Sequence, residues 1–348
     1  MGQSLEARQA HTAERFSRIE AALLSPAADG CDSCDVRYGP RATVYATGSY
    51  GRGEASEHSD LDLFIVSAES PAADDGKLGG PGSRHQTEPV VLKNLDQICL
   101  KAQLIELTRS LGLPEFSGGG KYLECYTGSQ LANAIGSDDD DYLNTFTARL
   151  LLLLESRPLM GRSVYAQAVE TVIWAYFGDY EDHSVKFQPT FLVNDILRLW
   201  RTFCVNYENR TSDADEAAKA KRKLTHYKLS HSRLLTCYSG IVTLLTTYRR
   251  KGTVRPGDVL ELVAKTPRER IKEVGKVIPR SAKTATEVLD SYELFLDRTD
   301  VDEPALRQQF LDKTYARKRM EEARQFAELI HDLVSSIDAG SLSRAIVV

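Results

Sequence analysis

The sequence predicts an α+β fold, a small mixed-sheet unit followed by a C-terminal all-helical region. Three observations predict it. Residues 42–46 (ATVYA) and 61–66 (LDLFIV) are short and apolar, as strands are, and a Gly-Ser turn and a short helical spacer separate them. From about residue 128 onward, apolar side chains recur at helical spacing almost throughout. At 348 residues the chain has room for two domains, expected over residues 1–130 and 131–348.

Each element follows from local pattern. Residues 4–25 read as a helix with Leu5, Phe16, Ile19, Ala22 and Leu23 on its apolar face, and residues 26–40 as a turn-rich connection. The strand–turn–helix–strand unit occupies 41–66. Residues 67–89 are rich in Gly, Pro, Ser and Asp and read as a long surface loop. Residues 94–112 form a helix with Asn94 as its N-cap, and Pro114 lies beyond its end. Residues 121–127 (KYLECYT) read as a short strand after three glycines. Helices are then expected at about 140–157, 163–177, 190–208, 214–250, 256–264, 267–275, 280–297 and 303–337, with no internal repeat.

Composition narrows the class. Hydrophobic residues make up 42% and charged residues 27%, ordinary for a globular chain. A net charge of −5 argues against a dedicated non-specific nucleic-acid binder, though not against a local basic patch. No run of ~18 apolar residues is present, so no membrane partner is expected. The charged, amphipathic N-terminus lacks an apolar signal core, and the expected location is cytoplasmic. Cys31 and Cys34 form a C-x-x-C without a second pair at zinc-ribbon spacing, and they read as loop thiols. Cys99, Cys125, Cys204 and Cys237 read as small packed hydrophobes.

The chemistry concentrates in Thr47-Gly48-Ser49-Tyr50-Gly51-Arg52-Gly53-Glu54 and Ser59-Asp60-Leu61-Asp62-Leu63-Phe64. On a strand, Asp60 and Asp62 project from one face at period two. Two adjacent carboxylates repel unless a cation lies between them. Hard oxygen donors of this kind suit Mg²⁺ (Mn²⁺ is the other candidate), which takes one or two carboxylates plus substrate phosphates. Gly48 and Ser49 offer small side chains and backbone N–H groups that a triphosphate can approach. Separately, each half could be a flexible loop or a pair of solvated carboxylates. Together they are the parts of a nucleotidyl-transfer site with an NTP as substrate.

This stretch, residues 42–66, resembles the active-site signature of the DNA polymerase β-like nucleotidyltransferase superfamily. The form Gly-Ser-Tyr-Gly-Arg-Gly-Glu…Ser-Asp-Leu-Asp-Leu is most similar to the group around the signal-protein uridylyltransferases, and to the minimal nucleotidyltransferases paired with toxins. The resemblance implies a metal-dependent transferase that moves an NMP from an NTP to an acceptor oxygen and releases pyrophosphate. A protein side chain or an RNA end is the leading acceptor, in a stress, toxin–antitoxin or defence setting. A small-molecule acceptor, antibiotic or nucleotide, and a non-catalytic nucleotide-binding scaffold are the alternatives. It also implies a third carboxylate on a neighbouring strand. Glu124 is the choice and Glu88 the runner-up, and Glu124 could equally be an ordinary exposed strand residue. A helical-domain lysine and hydroxyl are implied on the triphosphate, and Lys228 and Ser232 stand at i, i+4 for that role.

Other residues carry alternatives. Arg52 either steadies a phosphate or pairs with Glu54 or Glu57, and Ser59 is placed to hydrogen-bond Asp60. Asn194, Arg198 and Arg201 share one helical face, and with Asp195 they read as an interhelical polar network. Asp138–Asp141 reads as a helix N-terminus favoured by the dipole. His331-Asp332 lacks the further histidines of a phosphohydrolase centre and reads as structural.

Overall fold

A computed structural model describes residues 3–25, 32–69, 92–114, 116–120, 123–209 and 215–337. Helices α1 (Gln3–Leu24) and α2 (Cys34–Tyr38) precede strand β1 (Ala42–Thr47); the four-residue helix α3 (Gly48–Gly51) then leads toward β2 (Asp62–Ser67). Helix α4 (Asn94–Ser110) and β3 (Cys125–Thr127) follow. Next come α5 (Gly128–Asn133), α6 (Asp139–Tyr142), α7 (Thr145–Glu155) and β4 (Arg157–Met160). The remainder is helical: α8 (Arg162–Ala175), α9 (Tyr180–His183), α10 (Thr190–Asn209), α11 (Glu216–Lys228), α12 (Leu234–Lys251), α13 (Pro256–Val263), α14 (Pro267–Val277), α15 (Ala282–Arg298), α16 (Glu303–Leu311) and α17 (Lys313–Ile337).

The strands form one sheet in the order β3-β2-β1-β4, mixed because only β2 and β3 run parallel. All six residues of β1 are buried, which is why ATVYAT carries no charge. Alternation divides its side chains between two apolar layers. Ala42, Val44 and Ala46 pack with Leu63, Ile65 and residues of α1 and α4, among them Phe16 and Leu100. Tyr45 joins Phe64, Val66 and the helical core on the other face, its ring stacked on Phe64 at 5.6 Å.

Several elements differ from the sequence pattern for identifiable reasons. The run expected as one helix over 140–157 is broken at Asn144, a left-handed residue with φ 58°, and its end becomes β4, because Pro158 fits a sheet edge better than a helix interior. The fourth strand of the sheet therefore comes from beyond residue 130. The helix expected over 214–250 is interrupted by a π-helical turn, Leu229–Arg233. The helix expected over 303–337 splits at Asp312, whose carboxylate accepts from the Thr314 and Tyr315 backbone. Asn94 is the first helical residue of α4 rather than its cap; Lys93 holds that position without a side-chain bond. The strand expected at 121–127 is limited to Cys125–Thr127 among the described residues. Most of the long loop expected over 67–89, with Glu88, lies outside the described residues, as does Cys31. Cys99 is exposed rather than packed, whereas Cys237 is buried.

Candidate functional site

The β1–α3 turn is built for close approach. Gly48 has φ +65°, and a Cβ there would stand 3.1 Å from Asp62 Oδ2. A Cβ on Gly51 would fall 1.8 Å from the Glu155 carbonyl oxygen, so only glycine fits. Register does the rest. Thr47 pairs with Asp62 across β1 and β2, which sets the first acidic strand residue beside the glycine turn. Asp60 stands two residues before, in the connection rather than on the strand, and is exposed where Asp62 is half-buried.

The turn and both aspartates line one cavity of about 480 Å³. Its opposite wall comes from the helical region: Thr225, Lys228, Ser232 and Arg233 around the π-turn, and Phe295 and Leu296 from α15. The fold thus brings Gly48, Ser49, Arg52, Asp60, Asp62, Lys228 and Ser232 together. A π-turn inside a long helix often marks a functional site, and here it carries Ser232 and Arg233 into the cavity. Burial pushes the Lys228 ammonium below the usual lysine range, and Glu303 and Asp60 only partly restore it. The Ser232 hydroxyl donates its one proton to the Lys228 carbonyl at 2.8 Å, so in this arrangement it has none for a phosphate oxygen, a correction to its expected role.

Glu124 is not brought there. It is 65% exposed and pairs with Lys101 at 3.6 Å, outside the cavity lining. The period-two rule that turns it away from Leu123 and Cys125 turns it to solvent. Among the described residues no group of three or more His, Cys, Asp or Glu is placed to hold a metal ion. The donor set that remains is Asp60 and Asp62. Two carboxylates lining a cavity fit Mg²⁺ bound mainly through substrate phosphates, and glycine at 48 keeps a side chain from crowding Asp62 Oδ2.

Arg52 takes the pairing reading rather than the phosphate one. Its Nε donates to Glu54 at 2.5 Å and its Nη1 to Glu155 at 2.7 Å. Burial opposes the guanidinium charge, but Glu54 and Glu155 outweigh it and hold Arg52 well above its ordinary value. Ser59 accepts from the Ser56 backbone at 3.0 Å and so tightens the loop before Asp60.

Glu155 is the residue that the sequence pattern missed. At the end of α7, with no side-chain exposure, it accepts from Gly48 N–H at 3.2 Å, Arg52 and the Thr236 hydroxyl at 2.7 Å, and it pairs with Arg233. The Gly48 N–H is therefore directed at Glu155 and not at the cavity, a correction to its expected phosphate role. Burial raises the Glu155 carboxyl, and Arg233 and Arg52 override that to about 2. Glu54 is held by the Tyr292 hydroxyl at 2.6 Å, and Arg8 of α1 reaches the Glu54 carbonyl at 3.3 Å and the Leu296 carbonyl at 2.8 Å. Ion pairs at Glu155 on one side and hydrogen bonds at Glu54 on the other thus fix the turn to the helical wall.

Residues 32–107 match the family model of the nucleotidyltransferase domain. The chain carries a nucleotidyltransferase domain. The match is consistent with the DNA polymerase β-like superfamily that the motif resembles, and it makes the protein a transferase of phosphorus-containing groups. It contains β1, the glycine turn, both aspartates and β2. No curated protein and no solved structure matches the chain. Among the described residues no helix is long and apolar enough to cross a membrane.

Polar clusters away from this cavity are structural. Asp195 joins buried Arg149 at 3.1 Å and Tyr176 at 2.6 Å. Asp140, from the acidic run, is fully buried and chelates Arg149 at 2.8 and 2.9 Å, so a buried ion pair and not only the helix dipole holds it. The expected interhelical network is present at Asp195 and at Arg198, which reaches Asp140 and Asp141, whereas Asn194 and Arg201 are exposed. His331 and Asp332 are exposed, 3.4 Å apart.

Proposed function

We propose that the cavity binds an NTP and transfers its NMP to an acceptor hydroxyl. The observation that carries this reading is the meeting of the Gly48-Ser49 turn, the Asp60/Asp62 pair and Lys228 in one cavity. A nucleotide substrate follows from the domain; the acceptor, the metal and the individual roles are the proposal. Asp60 and Asp62 would hold Mg²⁺ or Mn²⁺, which supplies charge neutralisation on the phosphates when bound.

The chain's own residues do the rest. Ser49 faces the phosphates from the turn. Lys228 and Arg233 meet them from the helical wall, where low local dielectric strengthens each contact. The acceptor oxygen forms a bond to the α-phosphorus while the bond to the bridging oxygen breaks and pyrophosphate leaves. Asp60, exposed at the mouth, takes the hydroxyl proton. Lys228 and Arg233 stabilise the charge that develops on the departing pyrophosphate. The acceptor is a protein side chain or an RNA end, because the cavity is open where Asp60 stands.

The test is label transfer from each α-phosphate-labelled NTP, with Mg²⁺ or Mn²⁺, to cell lysate or total RNA. The intact chain should label a discrete band, and Asp60→Asn/Asp62→Asn should lower the rate by about 10²–10³-fold or more. Equal labelling by the variant would overturn the reading. NTP binding without transfer to protein or RNA would point to a small-molecule acceptor, and absence of NTP binding to a scaffold.

A further inference from the structure

We propose that the outer face of α11, extended by the first turns of α17, is a docking surface for single-stranded RNA that leads the strand's terminal ribose hydroxyl to the cavity mouth. The inference rests on the nucleotidyl-transfer reading of that cavity and names its acceptor.

The charge distribution is the starting point. The chain is acidic overall, with a net charge of −5. Helix α11 nonetheless carries Lys219, Lys221, Arg222, Lys223 and Lys228 against the single carboxylate of Glu216. The opening of α17, residues 313–320, exposes Lys313, Arg317 and Lys318 and carries no carboxylate; Arg319 is buried beneath them. The two helices touch: His226 Nδ1 lies 3.3 Å from Met320 Sδ, and the Tyr227 hydroxyl donates to Glu322 at 3.3 Å. At the start of α11 the Glu216 carboxyl is lowered first by Lys219 and then by Lys313 of α17 and by Lys223. A local excess of like charge costs free energy in the free protein, and a polyanion removes that cost.

Position links this surface to chemistry. Lys221, Thr225 and Lys228 recur at i, i+4 and i+7, so they share one face of α11. Thr225 and Lys228 line the cavity, and Lys221 is exposed a turn further out. The 13-residue helix is about 20 Å long, so the basic face runs outward from the cavity wall over several nucleotides' reach.

A protein partner fits this surface less well. The core of a protein interface is apolar and aromatic and poor in charge. Among the described residues none of the large exposed hydrophobics lies on α11, and only Leu311 borders α17. A chain of phosphates ending in a hydroxyl matches both the basic face and the reaction.

The probe is a fluorescein-labelled, mixed-sequence, single-stranded oligoribonucleotide, titrated with the full chain at several salt concentrations. Log affinity should fall linearly with log salt. In Lys219→Ala/Lys221→Ala/Lys223→Ala the slope should shrink by roughly 0.7 per lost phosphate contact, about two in all. The Lys→Arg version of the same triple should keep it. NTP binding should be unchanged in both, because none of the three lines the cavity. A 3′-deoxy strand should bind equally and accept no label. No RNA binding at low salt, an unchanged slope in the alanine triple, or label moving only to protein would overturn the proposal. RNA binding through these lysines without NTP binding would instead sink the transferase reading of the cavity and leave the surface standing.

Discussion

Glu155 holds a charge where charge is costly. Its side chain has no solvent exposure, and Arg52, Arg233, Thr236 and the Gly48 amide surround it. Removing one partner of a buried ion pair leaves the others uncompensated, at a cost of about 3–5 kcal/mol. Glu155→Gln keeps the shape and loses the charge, so it should lower stability by about that amount in denaturant titration. Arg233→Met in the same chain should recover part of the loss, since Arg233 is the cation that Glu155→Gln leaves uncompensated, whereas Arg52 keeps Glu54. A single-variant loss below ~1 kcal/mol would show that the carboxylate does not organise the turn. The sequence could not reveal this residue. That Gly48, Ser49, Asp60 and Asp62 come together was legible because their pattern is local, within fifteen positions of one chain segment. Glu155 ends a leucine-rich run that reads as plain buried helix, and its partners Arg52 and Thr236 lie 103 and 81 positions away. Glu124 misled for the opposite reason: strand periodicity marks which side chain leaves the core, but not whether it then meets a cavity or solvent.

At the scale of an element, the π-turn Leu229–Arg233 has one flank in the cavity and the other in the core. His231 is buried there, stacked on Phe295 at 4.5 Å and Phe326 at 4.9 Å, and its Nδ1 meets the Tyr227 carbonyl at 2.8 Å, where it must be the donor. Desolvation lowers its imidazole to about 4. The unfolded chain binds this proton near the ordinary value of 6.5, so between those values the unfolded state holds more protons. Stability from the neutral ring is therefore fully present above pH 6.5 and is lost as pH falls toward 4. A fall from 6.5 to about 4 corresponds to about 3 kcal/mol. Glu155 acts in the same direction at lower pH, present above 4.5 and lost toward 2. Unfolding free energies of His231→Phe and the parent, measured between pH 6.5 and 4.5, should diverge steadily. Parallel curves would mean that His231 does not titrate as a buried neutral group. The sequence pattern gave helix across this region, which was right in type. It could not give the π-turn, because one extra residue in a turn leaves the apolar spacing on either side intact.

For the molecule as a whole, the question is whether residues 1–130 and 131–348 are separable units, the division that the sequence suggests. Composition and periodicity change near that point, and those signals are local. The contacts that cross it are not. β4 closes the sheet against β1 from residues 157–160. Tyr45, Phe64 and Val66 belong to the same apolar cluster as Leu235, Phe295 and Leu333. Arg8 and Glu54 bond to α15 through Leu296 and Tyr292. Each fully buried large apolar side chain contributes about 1.5–3 kcal/mol, so an N-terminal piece cut at residue 130 would expose several such terms and leave β1 with an open edge. Calorimetry of the full chain should then show one cooperative transition, with calorimetric and van't Hoff enthalpies equal. An NTP with Mg²⁺ at about 100 times its Kd should move that whole transition by about 2.7 kcal/mol, because the cavity walls come from both halves. Two resolved transitions, only one of them shifted by NTP, would show that the halves fold independently and that the cavity closes between preformed units.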